Sequence, residues 1–338
     1  MLKKILLLIF FLLNLNAYCQ YCVENIFCNS FGTLGHCVAV TTKDNKMLLY
    51  GGNAYGQLGN NSKNGQKIFS DPFILSKNEW KMISFGAGHT LGIKNDGSLW
   101  SWGTNDSGRL GNGTIDAGNF LPKQIGSDKD WDLIAAGTWH SLALKKDGTL
   151  WGWGNTRTES LGYFHFNLPL DQTTPIKLNN DNDWSYVHAS NYTTLAIKKN
   201  GSLYGTGAVK IGTGNSGASA PLRFPEGTQV QANGFYKIGN ENNWKKIITG
   251  SDDFFVMLKN DNTLWGWSYT SAATSNIDIK KVNYCTEYSQ IGDSNWKDVD
   301  VSHNAFIGIK EDGTLWHFGL LTYNIINKKI IQIGTDSN

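Results

Sequence analysis

Six prolines in 338 residues leave few positions where the chain must break a strand or kink. Acidic and basic residues almost cancel, 28 against 30. Removing Lys3 and Lys4 with an N-terminal export segment makes the balance 28 to 28, so the mature chain lacks the positive surface that general nucleic-acid binding requires. Catalytic signatures are missing too: there is no G-x-S-x-G, no P-loop and no H-E-x-x-H. Among the mature cysteines, Cys22, Cys28, Cys37 and Cys285, there is no C-x-x-C and no Cys/His spacing of a zinc site. No stretch holds a helical 3.6-residue period for long. Metal, cofactor and nucleotide chemistry therefore have no foothold in the sequence, and no cofactor is expected.

What the chain has is glycine, 38 residues, and tryptophan, 13 residues. Five tryptophans, Trp80, Trp131, Trp184, Trp244 and Trp296, open nearly the same sentence at spacings of 51, 53, 60 and 52 residues. A period of this size marks a supersecondary unit that buries its apolar face only by stacking on copies of itself. The copy WDLIAAGTWHSLALKKDGTLWGWGN at Trp131 aligns without a gap to the one at Trp80, and a sixth begins at Phe27. Inside each unit apolar and polar residues alternate on both sides of Asp96-Gly97, Asp147-Gly148, Asn200-Gly201 or Asp312-Gly313. These dipeptides read as two-residue hairpin loops. With Trp-x-x-Ile as a further strand and runs such as Pro122 to Ile125 as a fourth, each unit is expected to be a four-stranded blade.

The expected fold is therefore all-β, a six-bladed β-propeller with repeats starting near 27, 80, 131, 184, 244 and 296; the alternative is seven blades with one degenerate. The chain ends at IGTDSN, one step short of another tryptophan. Residues Ile330 to Gly334 are accordingly expected to pair with the N-terminal strands and close the ring, which removes exposed sheet edges. Residues 20–338 form one domain, and the Gly-, Ser- and Ala-rich stretch Ala208 to Asn233 reads as an enlarged surface loop.

Residues 1–19 read as a secretory signal: Lys3 and Lys4, an apolar run from Ile5 to Leu15 too short to span a bilayer comfortably, and a cleavage site before Gln20. An anchor on Cys19 is disfavoured by the bulk of Tyr18 before it. The protein is expected to be exported, with no membrane span. In an oxidising compartment the four mature cysteines allow three pairings, with buried thiols as the alternative.

The motif W-x-x-I-x-x-G-x-x-H-[ST]-L-[AG]-[IL]-K-x-D-G-[ST]-L-W-x-W-G, followed by glycine-rich loops GGNAYGQLGN and GTNDSGRLGN, resembles the regulator of chromosome condensation repeat over roughly residues 27 to 334. Its best-known members have seven blades, and the glycine-rich loop decays in the last three units here. The resemblance implies a non-enzymatic binding module that grips a partner protein through the loops of one face, as exported bacterial propellers of this type do. A surface glycan is the alternative ligand. A monomer is expected.

Candidate contacts lie where those loops fall. His36, His89 and His140 share one register, nine residues after the opening aromatic; a repeated histidine reads first as one structural hydrogen bond per blade and second as part of the loop face. Trp139 is the one tryptophan outside the repeat pattern and stands where other units have Gly35, Gly88 and Tyr192. An aromatic there is a candidate anchor. Asp252, Asp253 and His303 complete the candidate contacts in later units. LNNDNDW before Trp184 reads as a polar turn rather than a calcium loop.

Overall fold

A computed structural model describes residues 23–28, 37–42, 45–63, 73–77, 79–156, 160–162, 171–211, 218–221, 234–251, 254–268, 289–290, 294–302, 305–312, 314–319 and 331–333. The described strands form an all-β propeller of antiparallel sheets. The first contains β1 (Val23–Cys28), β2 (Cys37–Thr42), β3 (Lys46–Gly51) and β4 (Phe73–Lys77); the second β5 (Trp80–Phe85), β6 (His89–Lys94), β7 (Leu99–Gly103) and β8 (Asn119–Ile125). The third contains β9 (Trp131–Ala136), β10 (His140–Lys145), β11 (Leu150–Asn155) and β12 (Asp171–Lys177). The fourth is built on β13 (Trp184–Ala189), β14 (Thr193–Lys198), β15 (Leu203–Ile211), β16 (Ala218–Pro221) and β17 (Tyr236–Ile238). The fifth has β18 (Trp244–Ser251), β19 (Phe254–Lys259), β20 (Leu264–Ser268) and β21 (Ser289–Gln290); the sixth β22 (Trp296–Ser302), β23 (Ala305–Lys310), β24 (Leu315–Gly319) and β25 (Ile331–Ile333).

Several expectations need correction. The blades are not uniform: five sheets have four strands, but in the fourth sheet β15 is long enough to pair with β17 through Leu203–Gly205 and with β16 through Ala208–Ile211. The stretch read as a surface loop from Ala208 thus begins as a β-ribbon. Among the described residues there is no seventh sheet. Among the described residues, pairing of the chain ends is also not seen. Strand β25 pairs with β24, and the four described strands of the first sheet all come from residues 23–77. Instead β1 lies beside both β5 and β22, as each sheet's first strand lies beside the next.

The hairpin loops hold three residues rather than two. In the second sheet Gly97 N–H donates to Lys94 O at 2.9 Å and Lys94 N–H to Ser98 O at 3.0 Å, so Asn95, Asp96 and Gly97 form the loop. Only its last residue has positive φ, +83° at Gly97. This is the type I turn with a left-handed third residue, whereas a two-residue type I′ loop would need positive φ at both of its residues. Asn262, with φ +61°, takes the glycine's place in the fifth sheet. The Asp before the glycine has its own task. Asp147 Oδ1 accepts from Thr149 N and Oγ1 at 2.9 and 2.7 Å, and Thr149 Oγ1 accepts from the Trp151 indole at 2.9 Å. The same relay at Asp96, Asp261 and Asp312 explains D-x-[ST]-L-W as a unit.

The core lies between sheets. Cys37, Met47 and Leu49 of the first sheet pack against Trp80, Ile83 and Trp102 of the second, and Leu91, Ile93 and Leu99 pack in turn against Trp131, Ile134 and Trp153. Each opening tryptophan therefore fills a seam, which is why the repeat exists: removal of that apolar area from water happens only between neighbours. Gly92 is small for the same reason, because a Cβ there would lie 2.4 Å from the Trp80 ring. Cys37 is a buried thiol whose Sγ–H donates to Gly52 O at 3.2 Å, and burial pushes its pKa up to about 12. It is an inert core group rather than half of a disulfide.

Candidate functional site: the loop face

Two kinds of connection gather at one end of the sheets: the short turn from first to second strand, and the longer loop from third to fourth. The longer loops carry G-x-L-G, and the structure shows what that motif does. Gln57 O accepts two bonds from the second sheet, from Trp102 Nε1 and Thr90 Oγ1, both at 2.8 Å. Arg109 O repeats this toward the third sheet, accepting from Trp153 Nε1 at 2.9 Å and Ser141 Oγ at 2.8 Å. Ser160 O accepts from Thr194 Oγ1 of the fourth sheet at 2.6 Å, although its loop has lost most of its glycines. The glycine after the leucine packs on the same ring: a Cβ on Gly111 would lie 2.7 Å from Trp153 Nε1. Each loop thus latches its own sheet to the next.

His89 and His140 sit beneath the short turns with 0% exposure. His89 Nε2 is 2.8 Å from Ser141 Oγ, and His140 Nε2 is 3.1 Å from Thr194 Oγ1, each on the neighbouring sheet. As partner contacts these two are corrected: their imidazoles bridge sheets and reach no surface. Gly86 and Gly137 make room for them, since a Cβ at either would lie 2.5 or 2.8 Å from the ring. His36, Asp252, Asp253 and His303 fall outside the described residues.

Trp139 and Tyr192 do occupy corresponding loop positions, both half-buried. Trp139 rests on Arg109, whose guanidinium carbon is 5.4 Å from the ring centroid. Arg109 is 4% exposed and was not foreseen from the sequence. Its Nη1 donates to Thr138 O at 2.8 Å, Nε to Thr104 O at 3.2 Å, and Nη2 to Thr104 Oγ1 at 2.5 Å and to the carboxylate of Asp106. Burial pushes the guanidinium below its usual pKa range, and Asp106 opposes that. Thr138 Oγ1 in turn donates to Asn191 Oδ1, beside Tyr192. Tyr55, half-buried in the preceding loop, approaches Gly88 and Arg109 from the other side. Loops of four sheets therefore meet around one arginine. The guanidinium itself is buried, so the exposed Asp106 carboxylate and the half-buried Trp139, Tyr55 and Tyr192 are the groups this loop cluster offers. Among the described residues no three His, Cys, Asp or Glu side chains gather as a metal site.

Family models of the regulator of chromosome condensation (RCC1) repeat match residues 81–109 and 96–144, which hold the second sheet, the Arg109 loop and the first two strands of the third sheet. Residues 81–144 thus match RCC1 repeats, and they lie within an all-β propeller. The chain is 26% identical over 240 residues to the ultraviolet-B receptor UVR8 of Arabidopsis thaliana, an alignment that covers 69% of this chain and 51% of that protein. It is 33% identical over 131 residues to the E3 ubiquitin-protein ligase HERC2 of Mus musculus, 37% of this chain and 3% of that one. The chain thus spans about half the length of the first relative and a small part of the second. Among solved structures it resembles yeast RCC1 (Prp20), seen bound to Kap60, with a TM-score of 0.62 at 14% identity over 90% of this chain and 73% of that one. Human WBSCR16 matches with a TM-score of 0.60 at 18% identity over 86% of this chain and 72% of that one. At these identities the structural likeness speaks to the fold alone.

A second repeated feature, also unforeseen, lies at the opposite end. Lys145 Nζ sits 4.8 and 4.9 Å from the Trp131 and Trp151 rings and pairs with Asp128 at 2.6 Å and Asp130 at 3.1 Å. Lys94, Lys198, Lys259 and Lys310 occupy the same place over their own aromatic pairs. This explains the lysine of L-[AG]-[IL]-K as a lid over the seam tryptophans.

Proposed function

We propose that this RCC1-type propeller is an exported, non-enzymatic binding module that closes as a six-bladed ring and engages a partner protein through its loop face. The observation that carries the reading is Trp139 seated on the buried Arg109, with Tyr192 at the matching position of the next sheet. A half-buried aromatic held by a fixed cation is pre-organised, and such residues dominate interface hot spots. The likeness to a propeller solved with a protein bound agrees with this use of the fold. Export rests on the basic and apolar pattern of residues 1–19.

The test is capture from extracellular and envelope fractions of the source cells by residues 20–338, beside the Trp139→Ala, Tyr192→Ala double variant. A protein retained by the first and lost by the second supports the reading. Retention of polysaccharide alone replaces the protein partner with a glycan, and equal retention of one protein by both forms rejects this face. N-terminal sequencing of the exported protein should begin at Gln20; an intact Met1 in the mature protein would overturn export by cleavage.

A further inference from the structure

The histidines under the loop face carry more than a structural role, because the hydrogen atoms of their bridges can be placed. Ser141 Oγ lies 2.8 Å from Arg109 O, and a carbonyl only accepts, so the serine's single hydrogen is committed there. The 2.8 Å contact between Ser141 Oγ and His89 Nε2 must then use a hydrogen on the imidazole. Thr194 is in the same position: its hydroxyl donates to Ser160 O at 2.6 Å, so His140 Nε2 is the donor in the 3.1 Å bridge. Both histidines therefore carry a hydrogen on Nε2. Their Nδ1 atoms are bare, buried and without a hydrogen-bond partner. Each lies next to the place a Cβ would take on Gly86 or Gly137, beside the carbonyl oxygens of Gly137 and Ser190, and makes a hydrogen bond to neither.

The charged and titratable surroundings point the same way. His89 is flanked by Arg109 from the loop after β7 and by His140 from β10; the nearby carboxylate, Asp106, is already paired with Arg109 and 62% exposed. His140 is flanked by His188 from β13, which in turn feels Lys246 from β18, itself paired with Asp298 at 2.7 Å. Every acting charge is cationic or neutral. Burial first, and these cations second, hold His89 well below the usual imidazole range and His140 at about 3. A proton on either ring would place an unpaired N–H and an uncompensated charge in the seam.

We propose that His89 and His140 make the seams joining the second, third and fourth sheets acid-sensitive, so that mild acidity loosens the half of the ring that carries Trp139. The sign follows from linkage. A histidine neutral in the fold and ordinary when unfolded contributes in full above its unfolded value of about 6.5, and that contribution is lost as pH falls below it. Two such groups lower the folding constant about a thousandfold between pH 7.5 and pH 5, on top of any carboxylate effects.

The experiment compares denaturant unfolding of the protein and of its His89→Gln, His140→Gln variant at both pH values. Glutamine places a non-titrating N–H donor near the Nε2 position, so carboxylate effects cancel between the two proteins. The original should lose about a thousandfold more in its folding constant than the variant over this interval. Equal losses overturn the proposal. Should the variant fail to fold, imidazole nitrogen NMR on the unaltered protein decides: Nε2–H signals unchanged from pH 7.5 to pH 5.5 are expected, and titration of both rings near pH 6.5 in the native state, or an Nδ1–H tautomer, overturns it.

Discussion

The indole N–H of Trp153 on β11 donates to the carbonyl of Arg109, 2.9 Å away in a loop of the preceding sheet. The same carbonyl accepts from Ser141. One peptide oxygen thus ties two strands of the third sheet to the second, and Trp153 has 0% exposure. Trp153→Phe keeps most of the apolar contact and removes one bond of the pair. It should lower stability by about 1–3 kcal/mol, from the lost bond and the space left by the smaller ring. Trp102→Phe should match it, because Gln57 O is its counterpart. Chemical denaturation of both variants is the check; an unchanged midpoint for either would remove the latch from the account.

Gly137 is a second fixed point. A Cβ there would stand 2.6 Å from Ser190 O and 2.8 Å from the His140 ring. Backbone from the next sheet cannot retreat without opening the seam. Gly137→Ala should therefore cost about 1–3 kcal/mol through overpacking. The positive-φ explanation of glycine does not apply at this residue, which is absent from the left-handed set. Thermal unfolding of Gly137→Ala within a few tenths of a degree of the original would show that the seam gives way freely.

Two lysines separate buried from exposed electrostatics. The Lys145 side chain is 11% exposed between two indoles and two aspartates, whereas Lys81 pairs with Asp132 at 2.6 Å with 43% and 52% of the two side chains exposed. Solvent screens the second pair, so Lys81→Ala should change stability by less than about 0.5 kcal/mol. Lys145→Ala loses packing of the stem, both cation–ring contacts and both carboxylate contacts, and should cost about 1–3 kcal/mol. Raising salt to 1 M should erase what little Lys81 contributes and leave most of the Lys145 effect. Equal costs for the two substitutions would contradict this.

The parts of the fold that repeat were legible in the sequence, and the parts made between repeats were not. The opening tryptophans, the four-strand rhythm and the structural bridge expected of the repeated histidine follow from periodicity, because each copy restates the same local physics. The latch is different. It uses the carbonyls of Gln57, Arg109 and Ser160, whose side chains share nothing, so no residue pattern announces it. The three-residue hairpin loop was hidden because Asp-Gly also suits a two-residue loop, and only the hydrogen bond from Gly97 to Lys94 separates them. Trp139 stood out as the one unexplained tryptophan, yet its support, Arg109, sits in the x position of G-x-L-G, which Gln57 fills in the preceding loop. Its role depends on three-dimensional proximity to Thr138, 29 residues away.

Arg109 joins the fold to the face proposed for partner binding. Its backbone carbonyl holds the seam, while its side chain spans Thr104, Asp106, Thr138 and the Trp139 ring. These two tasks can be separated by substitution, since a side-chain change leaves the carbonyl in place. Arg109→Lys keeps the charge but loses the planar fork that reaches Thr104 and Thr138 together. It should therefore lower stability by about 1–2 kcal/mol, less than Trp153→Phe combined with Ser141→Ala, which strips both donors from the carbonyl. Trp139 should become more mobile in the lysine variant, seen as greater quenching of its fluorescence by acrylamide in a form where other emission is subtracted with Trp139→Phe. Partner retention should fall with it, because a loosened anchor must be ordered again on binding. A lysine variant with unaltered quenching and full retention would mean that the surrounding backbone, rather than the guanidinium, fixes Trp139.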